Sequence, residues 1–328
     1  MIRKILTYAI GIICVAMHFS NPECPAQELY LYGGYNWERD NRDRTYSWAI
    51  EYKQLFAKNW AVSFSWLNEG HFSQHHRDGH VLQIWTRTNP LWKDIVLSAG
   101  IGPYRYFDTQ TAHQEHSYVD SHGWGAVLSL SASAPIYDRW LFSVRSNYIR
   151  TDRSIDTFSL MAGIGYQLEP SPPEKPGGHL RSGGKKNEIT ISAGQVVVNS
   201  GESESDRAWS LEYRRQFARH FGWSVGWLAE NNPGPLHRSG VISEMWLTDS
   251  FFRDRLFLSL GAGPYLMVDR QKRDMDEEDK RPRFAGIVTM SGAYEFFPPW
   301  MLRISWHRTV TDYNKDTDIF LAGIGVRF

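Results

Sequence analysis

Cysteine is nearly missing from this chain: its two residues, Cys14 and Cys24, both fall close to the start. If a leader ending at Ala26 is removed, no thiol and no disulfide remain to staple the fold, even in an oxidising compartment. Long apolar runs are missing too. After residue 19 no stretch approaches the ~20 apolar residues that a spanning helix needs. Any passage through a bilayer must then use closed β-structure, which alone satisfies the remaining backbone donors and acceptors in lipid. There is no surplus of charge, with 36 basic against 36 acidic residues, and so no basic surface to attract nucleic acid. No His-Glu-x-x-His metal motif occurs, and the histidines show no ligand spacing, so neither a metal nor another cofactor is expected. Gly100-Ile101-Gly102-Pro103-Tyr104 is not a phosphate loop, because no helix follows it; it reads as a bend or close approach within a strand.

What is present begins with a secretory pattern. Arg3 and Lys4 precede an apolar segment, Ile5 to Phe19, and a small and polar stretch, Pro22 to Gln27. This predicts a signal peptide over 1–26 and export. Asn21-Pro22-Glu23, before Cys24, lacks the small and aliphatic residues of a lipoprotein site. Aromatic residues are abundant, at 14% of the chain. Trp and Tyr concentrate where an amphipathic ring can lie between hydrocarbon and water.

The rest of the chain repeats itself. Trp48, Glu51-Tyr52, Phe56-Ala57, Ser63 and Trp66-Leu67 recur 161 positions later as Trp209, Glu212-Tyr213, Phe217-Ala218, Ser224 and Trp227-Leu228. His76-Arg77-x-Gly79 recurs as His237-Arg238-x-Gly240, and the Gly-x-Gly-Pro-Tyr run at 100 recurs at 261. Toward the end of each copy the offset becomes 160: Ala162-Gly163-Ile164-Gly165 returns as Ala322-Gly323-Ile324-Gly325. So many matches in one register identify a tandem duplication. The copies occupy 27–168 and 188–328. Between them, 169–187 carries Pro170, Pro172, Pro173, Pro176 and two Gly-Gly pairs, and reads as a linker.

Each copy is built of period-2 segments, the mark of strands. Trp60, Val62, Phe64 and Trp66 alternate with Ala61, Ser63, Ser65 and Leu67. Phe158, Leu160, Ala162 and Ile164 alternate with Ser159, Met161, Gly163 and Gly165. Bulky apolar groups on one face and small or polar groups on the other suit a narrow barrel with lipid outside and a filled polar interior. Tryptophans at strand ends, Trp60, Trp66, Trp223 and Trp227, fit an aromatic girdle. Eight strands are predicted per copy, near 28–37, 45–55, 59–69, 80–89, 94–107, 122–134, 139–150 and 156–168, then 188–199, 207–216, 220–230, 240–249, 255–268, 283–296, 300–310 and 316–328. Short turns such as Leu55 to Lys58 and Pro135 to Arg139 alternate with longer polar loops at 39–44, 69–79 and 108–121. The longer loops are expected to face outside.

The last strand ends on an aromatic residue, Gly325-Val326-Arg327-Phe328. This resembles the terminal signal of bacterial outer-membrane barrels. The copies together resemble a doubled small barrel of the OmpA and opacity-protein type. The resemblance implies an outer-membrane address, contact with membrane lipids and lipopolysaccharide, and recognition of the strand ending at Phe328 by the outer-membrane assembly machinery. It implies no chemistry. The expected fold is all-β: a transmembrane antiparallel up-and-down barrel, as two tandem eight-stranded closures. One sixteen-stranded barrel is the alternative and would make a porin-like channel.

Candidate site residues follow from this frame. Glu51, Arg145, Glu212 and Arg303 alternate inward and form an expected interior ion network, since buried charges must be paired. Arg77 and Arg238, with Arg42 and Arg44, are candidates for lipopolysaccharide phosphate, which suits the guanidinium fork. A lipid A acyl hydrolase or acyltransferase would need a hydroxyl, a base and an acid at the outer rim. Ser73 or Ser121, His76 or His122, and Asp78, Asp108 or Asp120 are the residues available, without the His-x-Ser-Asn run of such deacylases. The leading expectation is a non-enzymatic barrel with a structural or surface-interacting role.

Overall fold

The computed structural model describes residues 27–39, 43–91, 94–111, 118–168, 186–199, 204–218, 220–231, 236–252, 254–272, 278–312 and 315–328. The leader and nearly all of the linker lie outside the described residues. Sixteen strands are present: β1 Gln27–Glu38, β2 Arg44–Ala57, β3 Trp60–Phe72, β4 His75–Arg87, β5 Val96–Thr111, β6 Tyr118–Tyr137, β7 Trp140–Thr151, β8 Thr157–Gln167, β9 Asn187–Val198, β10 Ser205–Gln216, β11 Phe221–Glu230, β12 Leu236–Phe251, β13 Leu256–Lys272, β14 Glu278–Phe297, β15 Trp300–Val310 and β16 Thr317–Arg327. Among the described residues no helix is long and apolar enough to cross a membrane.

Strands β1 to β8 form one closed antiparallel barrel, and β9 to β16 form another. The first closes where β1 pairs β8, with Leu31 opposite Ile164. The second closes where β16 pairs β9, with Ile324 opposite Ile191. Each ring is closed and so leaves no free edge strand to lipid. The single sixteen-stranded barrel is thereby excluded, and the porin-like channel that depended on it goes with it.

The alternation works as the sequence predicts. On β8 the outward Phe158, Leu160 and Ile164 are exposed, while Ser159 and Met161 are buried. On β15 Leu302 and Ile304 are exposed, while Met301 and Arg303 are buried. Outward residues in both barrels form an exposed apolar belt, which includes Leu31, Leu128, Leu130 and Phe142 in the first and Ile191, Leu211, Phe320 and Ile324 in the second. Four outward positions from Phe158 to Ile164 rise roughly 20 Å at ~3.3 Å per residue, close to the ~25 Å apolar band of outer-membrane barrels. Exposed aliphatic surface on this scale is costly in water and favourable in lipid.

Glycine has a particular task inside. A Cβ at Gly100 would enter the Trp85 ring, and one at Gly261 would enter the Trp246 ring. The missing side chain leaves room for one side of each indole, while its N–H donates to Ser63 Oγ or Ser224 Oγ on the opposite neighbouring strand, both at 2.8 Å. Gly102 and Gly263 allow close approach to the carbonyls of Leu82 and Ser243. Between β4 and β5 the ladder is paired at Val81–Tyr104 and again at Ile84–Ile101, with no pair between. Pro103, which has no N–H, lies in that gap. The second barrel repeats the gap, between Ile242–Tyr265 and Met245–Ala262.

Two expectations need correction. The stretches 69–79 and 108–121 are largely strand: β3 runs to Phe72, β4 starts at His75, β5 runs to Thr111 and β6 starts at Tyr118. Beyond the apolar belt a strand's outward face turns polar, so the greasy alternation ends before the ladder does. Trp66 is not a girdle residue. It has the outward parity but is 0% exposed, with its indole N–H on Asp78 Oδ2 at 3.1 Å and its ring edge-on to His80. Trp60, Trp223 and Trp227 do lie exposed on the outward face.

Candidate functional site

Each barrel encloses two layers of charge. The layer toward the longer loops is built on the same arginine–glutamate fork in both. Arg77, on β4, meets Glu69, on β3, through a fork: Nε to Oε2 at 2.6 Å and Nη2 to Oε1 at 2.8 Å. Arg238 meets Glu230 likewise, at 2.7 and 2.6 Å. Both arginines and both glutamates are 0% exposed. Arg77 also donates to Ser154 Oγ, Thr157 Oγ1 and the Ile155 carbonyl. Arg238 donates to Thr309 Oγ1, Thr317 Oγ1 and the Lys315 carbonyl. The guanidinium planes lie near the Tyr104 and Tyr265 rings, and the Tyr104 hydroxyl donates to Glu69 at 2.8 Å. A buried fork of this kind is tolerable only because nearly every donor and lone pair is used.

Arg77 and Arg238 are thus not contacts for surface phosphate. They face the interior, and a carboxylate already occupies each fork. Glu69 and Glu230 did not figure among the sequence-derived site residues, although Trp-Leu-x-Glu stands at the same place in both copies.

The layer toward the short turns differs between the barrels. In the first, Arg145 donates to Glu51, to Gln83 Oε1 at 2.6 Å and to Asn147 Oδ1 at 2.7 Å. Lys53 Nζ lies 3.1 Å from Glu51 Oε1 and 4.1 Å from the Trp85 ring centroid. In the second, Arg303 pairs with Glu188 at 2.6 Å and Arg214 pairs with Glu212 at 2.9 Å. Arg214 is stacked on Trp246, 3.4 Å from the ring centroid. Glu51 and Arg145 therefore meet directly, whereas Glu212 and Arg303 take separate partners. Lys53, Gln83, Glu188 and Arg214 complete these sets; their inward parity was readable once the strands were placed. Glu244, at the Gln83 position, is 0% exposed, and no arginine bonds its carboxyl.

Strand parity separates the hydroxyl, base and acid candidates. Asp108 faces inward, and Ser121, its register partner on β6, faces inward with it. His76, Asp78 and His122 take the outward parity. His76 stacks on His71 at 3.9 Å, Asp78 accepts from Trp66, and His122 meets Phe107 edge-on. Asp120 accepts from Thr109 Oγ1 at 2.9 Å. The His75 ring contacts Asp108 Oδ2 at 2.8 Å, yet the nearby Ser154 hydroxyl donates to that same carboxylate oxygen at 2.7 Å. The acid stands between imidazole and hydroxyl, which is the wrong order for a base to activate a nucleophile. Ser73 lies in the β3–β4 turn, and its N–H donates to Asp43 at 2.7 Å. That bond, the Ser73 hydroxyl and the Arg44 N–H hold the Asp43 carboxyl below the usual carboxylate range. Among the described residues no group of three or more His, Cys, Asp or Glu is placed to hold a metal ion.

Closed eight-stranded rings with apolar belts outside and ion networks inside define the class: a small outer-membrane-type β-barrel, present twice in one chain. No protein-family model matches the chain, and no curated protein sequence matches it. Among solved structures it is similar to Ail, the attachment invasion locus protein of Yersinia pestis, in complex with the heparin analogue sucrose octasulfate, at 12% identity over 44% of this chain and 98% of Ail, TM-score 0.32. It is similar to the translocator domain of the autotransporter NalP from Neisseria meningitidis, at 11% identity over 98% of this chain and 95% of that one, TM-score 0.19. It is also similar to the toluene transporter TbuX of Ralstonia pickettii, at 10% identity over 94% and 92%, TM-score 0.24. The likeness is one of fold alone.

Proposed function

We propose that the chain is an outer-membrane protein with a non-enzymatic role, structural or surface-interacting, carried by two filled barrels. One observation supports this above the others: each ring turns an apolar belt outward and closes its interior with arginine–carboxylate networks. Filled eight-stranded interiors leave side chains, not water, in the lumen. A leader over 1–26 would direct the chain across the inner membrane and then be removed, and membrane lipids, lipopolysaccharide among them, would be its immediate partners.

The test is fractionation of cells expressing the full chain, followed by electrophoresis with and without boiling and by planar-bilayer recording. The expected result is recovery with outer membranes, faster migration of the unboiled form and no discrete conductance steps. A detergent-free soluble monomer, or steady ion-conducting openings, would overturn the proposal.

A further inference from the structure

One outward row of the first barrel departs from the apolar pattern. Across β3 to β6 the register aligns Trp66, His80, Arg105 and Trp124. The matching row of the second barrel reads Trp227, Val241, Leu266 and Phe284, all exposed and all apolar. One row nearer the short turns, β7 of the first barrel carries an exposed Arg150 opposite Ala126. Its counterpart in the second barrel is Val310, opposite Gly286. Three aliphatic positions of one barrel are thus His80, Arg105 and Arg150 in the other, on a single wall.

These groups sit in aromatic surroundings. The Arg105 guanidinium lies 5.4 Å from the Trp124 ring centroid and 5.8 Å from that of Phe107, and it donates to the Gly123 carbonyl at 3.0 Å. His80 packs between Phe64, Trp66 and Phe107. Asp78 and Asp120 share this face nearer the loops, where Asp78 receives the Trp66 indole N–H and Asp120 the Thr109 hydroxyl. Arginine held beside rings at the edge of an apolar belt suits the depth of lipid headgroups. Directly beside it, where the β4–β5 ladder is interrupted at Pro103, an apolar groove opens on the same wall, lined chiefly by Val62, Leu82, Ile84, Ile101 and Pro103.

We infer that this wall binds one phosphate-bearing lipid, with an acyl chain in the groove and the headgroup phosphate on Arg105, flanked by His80 and Arg150. The inference rests on the membrane-barrel reading above. Its chemistry is that of a fork-shaped cation and a phosphate in a poorly hydrated setting, next to a hydrocarbon slot that a free anion cannot use. The second barrel keeps the fold but has aliphatic groups where the phosphate would sit, so the stoichiometry is one lipid per chain.

Native mass spectrometry of the full chain, released from detergent, tests this with phosphatidic acid and with diacylglycerol bearing the same acyl chains. Phosphatidic acid should be retained one per chain, about tenfold more tightly than diacylglycerol, the scale of a charge-assisted contact. H80V/R105L, which installs the second barrel's residues, should lose that preference, and R105K should keep part of it. Excess inorganic phosphate should not displace the lipid. Equal retention of the two lipids, or an unchanged preference in H80V/R105L, overturns the inference; displacement by inorganic phosphate would make it a plain anion site and overturn the lipid assignment. Heat-modifiable migration of wild type and variant, run in parallel, separates these outcomes from failure of the barrel itself.

Discussion

The two barrels share a scaffold and differ in their polar filling. The loop-side layers, Glu69 with Arg77 and Glu230 with Arg238, agree in partner, fork and supporting threonines. The indole–serine–glycine arrangement agrees as well, at Ser63–Trp85–Gly100 and Ser224–Trp246–Gly261. The turn-side layer has been rebuilt: Arg145 of the first barrel has Ser305 at its register position, while Arg303 enters two residues away, opposite Ala293. Both solutions still set every described interior arginine against a carboxylate. What two copies of one unit retain is the need to neutralise charge in the lumen. The geometry of the loop-side fork is kept, and the turn-side pairing is free to change.

The largest effect should come from breaking the shared fork. Arg77→Ala leaves Glu69 buried without its cation and should destabilise the first barrel by ~3–5 kcal/mol, and Arg238→Ala should do the same to the second. Hydrogen exchange of the full chain, read by mass spectrometry on β3–β4 and β11–β12 peptides, assigns the loss to one barrel or the other. Faster exchange confined to the mutated barrel supports two independent forks. A Glu69→Leu, Arg77→Met double substitution should recover much of the loss, because it removes both buried charges.

Next comes the point where the fillings diverge most. Gln83 accepts from Arg145 and donates to Ser129, whereas no arginine bonds the buried Glu244 carboxyl. Glu244→Gln, which imports the first barrel's residue and removes a buried ionisable group that no arginine bonds, should stabilise the second barrel by ~1–3 kcal/mol. A loss of stability in urea titration would mean that the charge of Glu244 is balanced within the second barrel, and the contrast drawn here would fail. Smaller again, Trp85→Phe and Trp246→Phe each remove one indole–hydroxyl bond and should cost ~0.5–1.5 kcal/mol. The two costs should match, and a clear inequality would show that the shared scaffold is less equivalent than its geometry.

Much of this was legible in the residues. The constant offset between Trp48 and Trp209 announces two units, and period-2 alternation places Glu51 and Arg145 on the inner face. Arg77 was misread because His75-His76-Arg77-Asp78-Gly79 looks like a loop: its outward residues are polar too, so nothing greasy marks the strand. Had the alternation from Val81, Gln83 and Trp85 been carried back across it, Arg77 would have fallen inside, facing Glu69. Trp66 was misread for the opposite reason. Its parity is outward, but cover by His80 and a bond to Asp78 depend on neighbouring strands, which a single segment cannot reveal. The His75–Asp108 contact likewise joins strands whose register no local pattern specifies.

The smallest predicted effect lies outside the belt, in the turn before β2. Asp43 accepts from the Ser73 N–H at 2.7 Å and from the Arg44 N–H at 2.8 Å, tying that turn to the β3–β4 turn of the first barrel. Its carboxyl is held below the usual range by these donors. A group with a lowered folded-state pKa contributes its tie above the ordinary carboxylate pKa of ~3.9 and loses it as pH falls through the lowered value. The Ser73 amide should therefore exchange slowly, relative to its intrinsic rate, from neutral pH down through mildly acid conditions, and lose protection only in stronger acid. Asp43→Asn should lower that protection at neutral pH while leaving the melting of the barrel unchanged, because the tie lies in the loop-end turns, where water screens it. Protection that persists in Asp43→Asn, or that disappears above the ordinary carboxylate range, would show that the turns are held by something other than this carboxylate. The ties of the loop end would then have to be sought in the Glu69–Arg77 fork beneath them, which also reaches the β7–β8 turn through the Ile155 carbonyl.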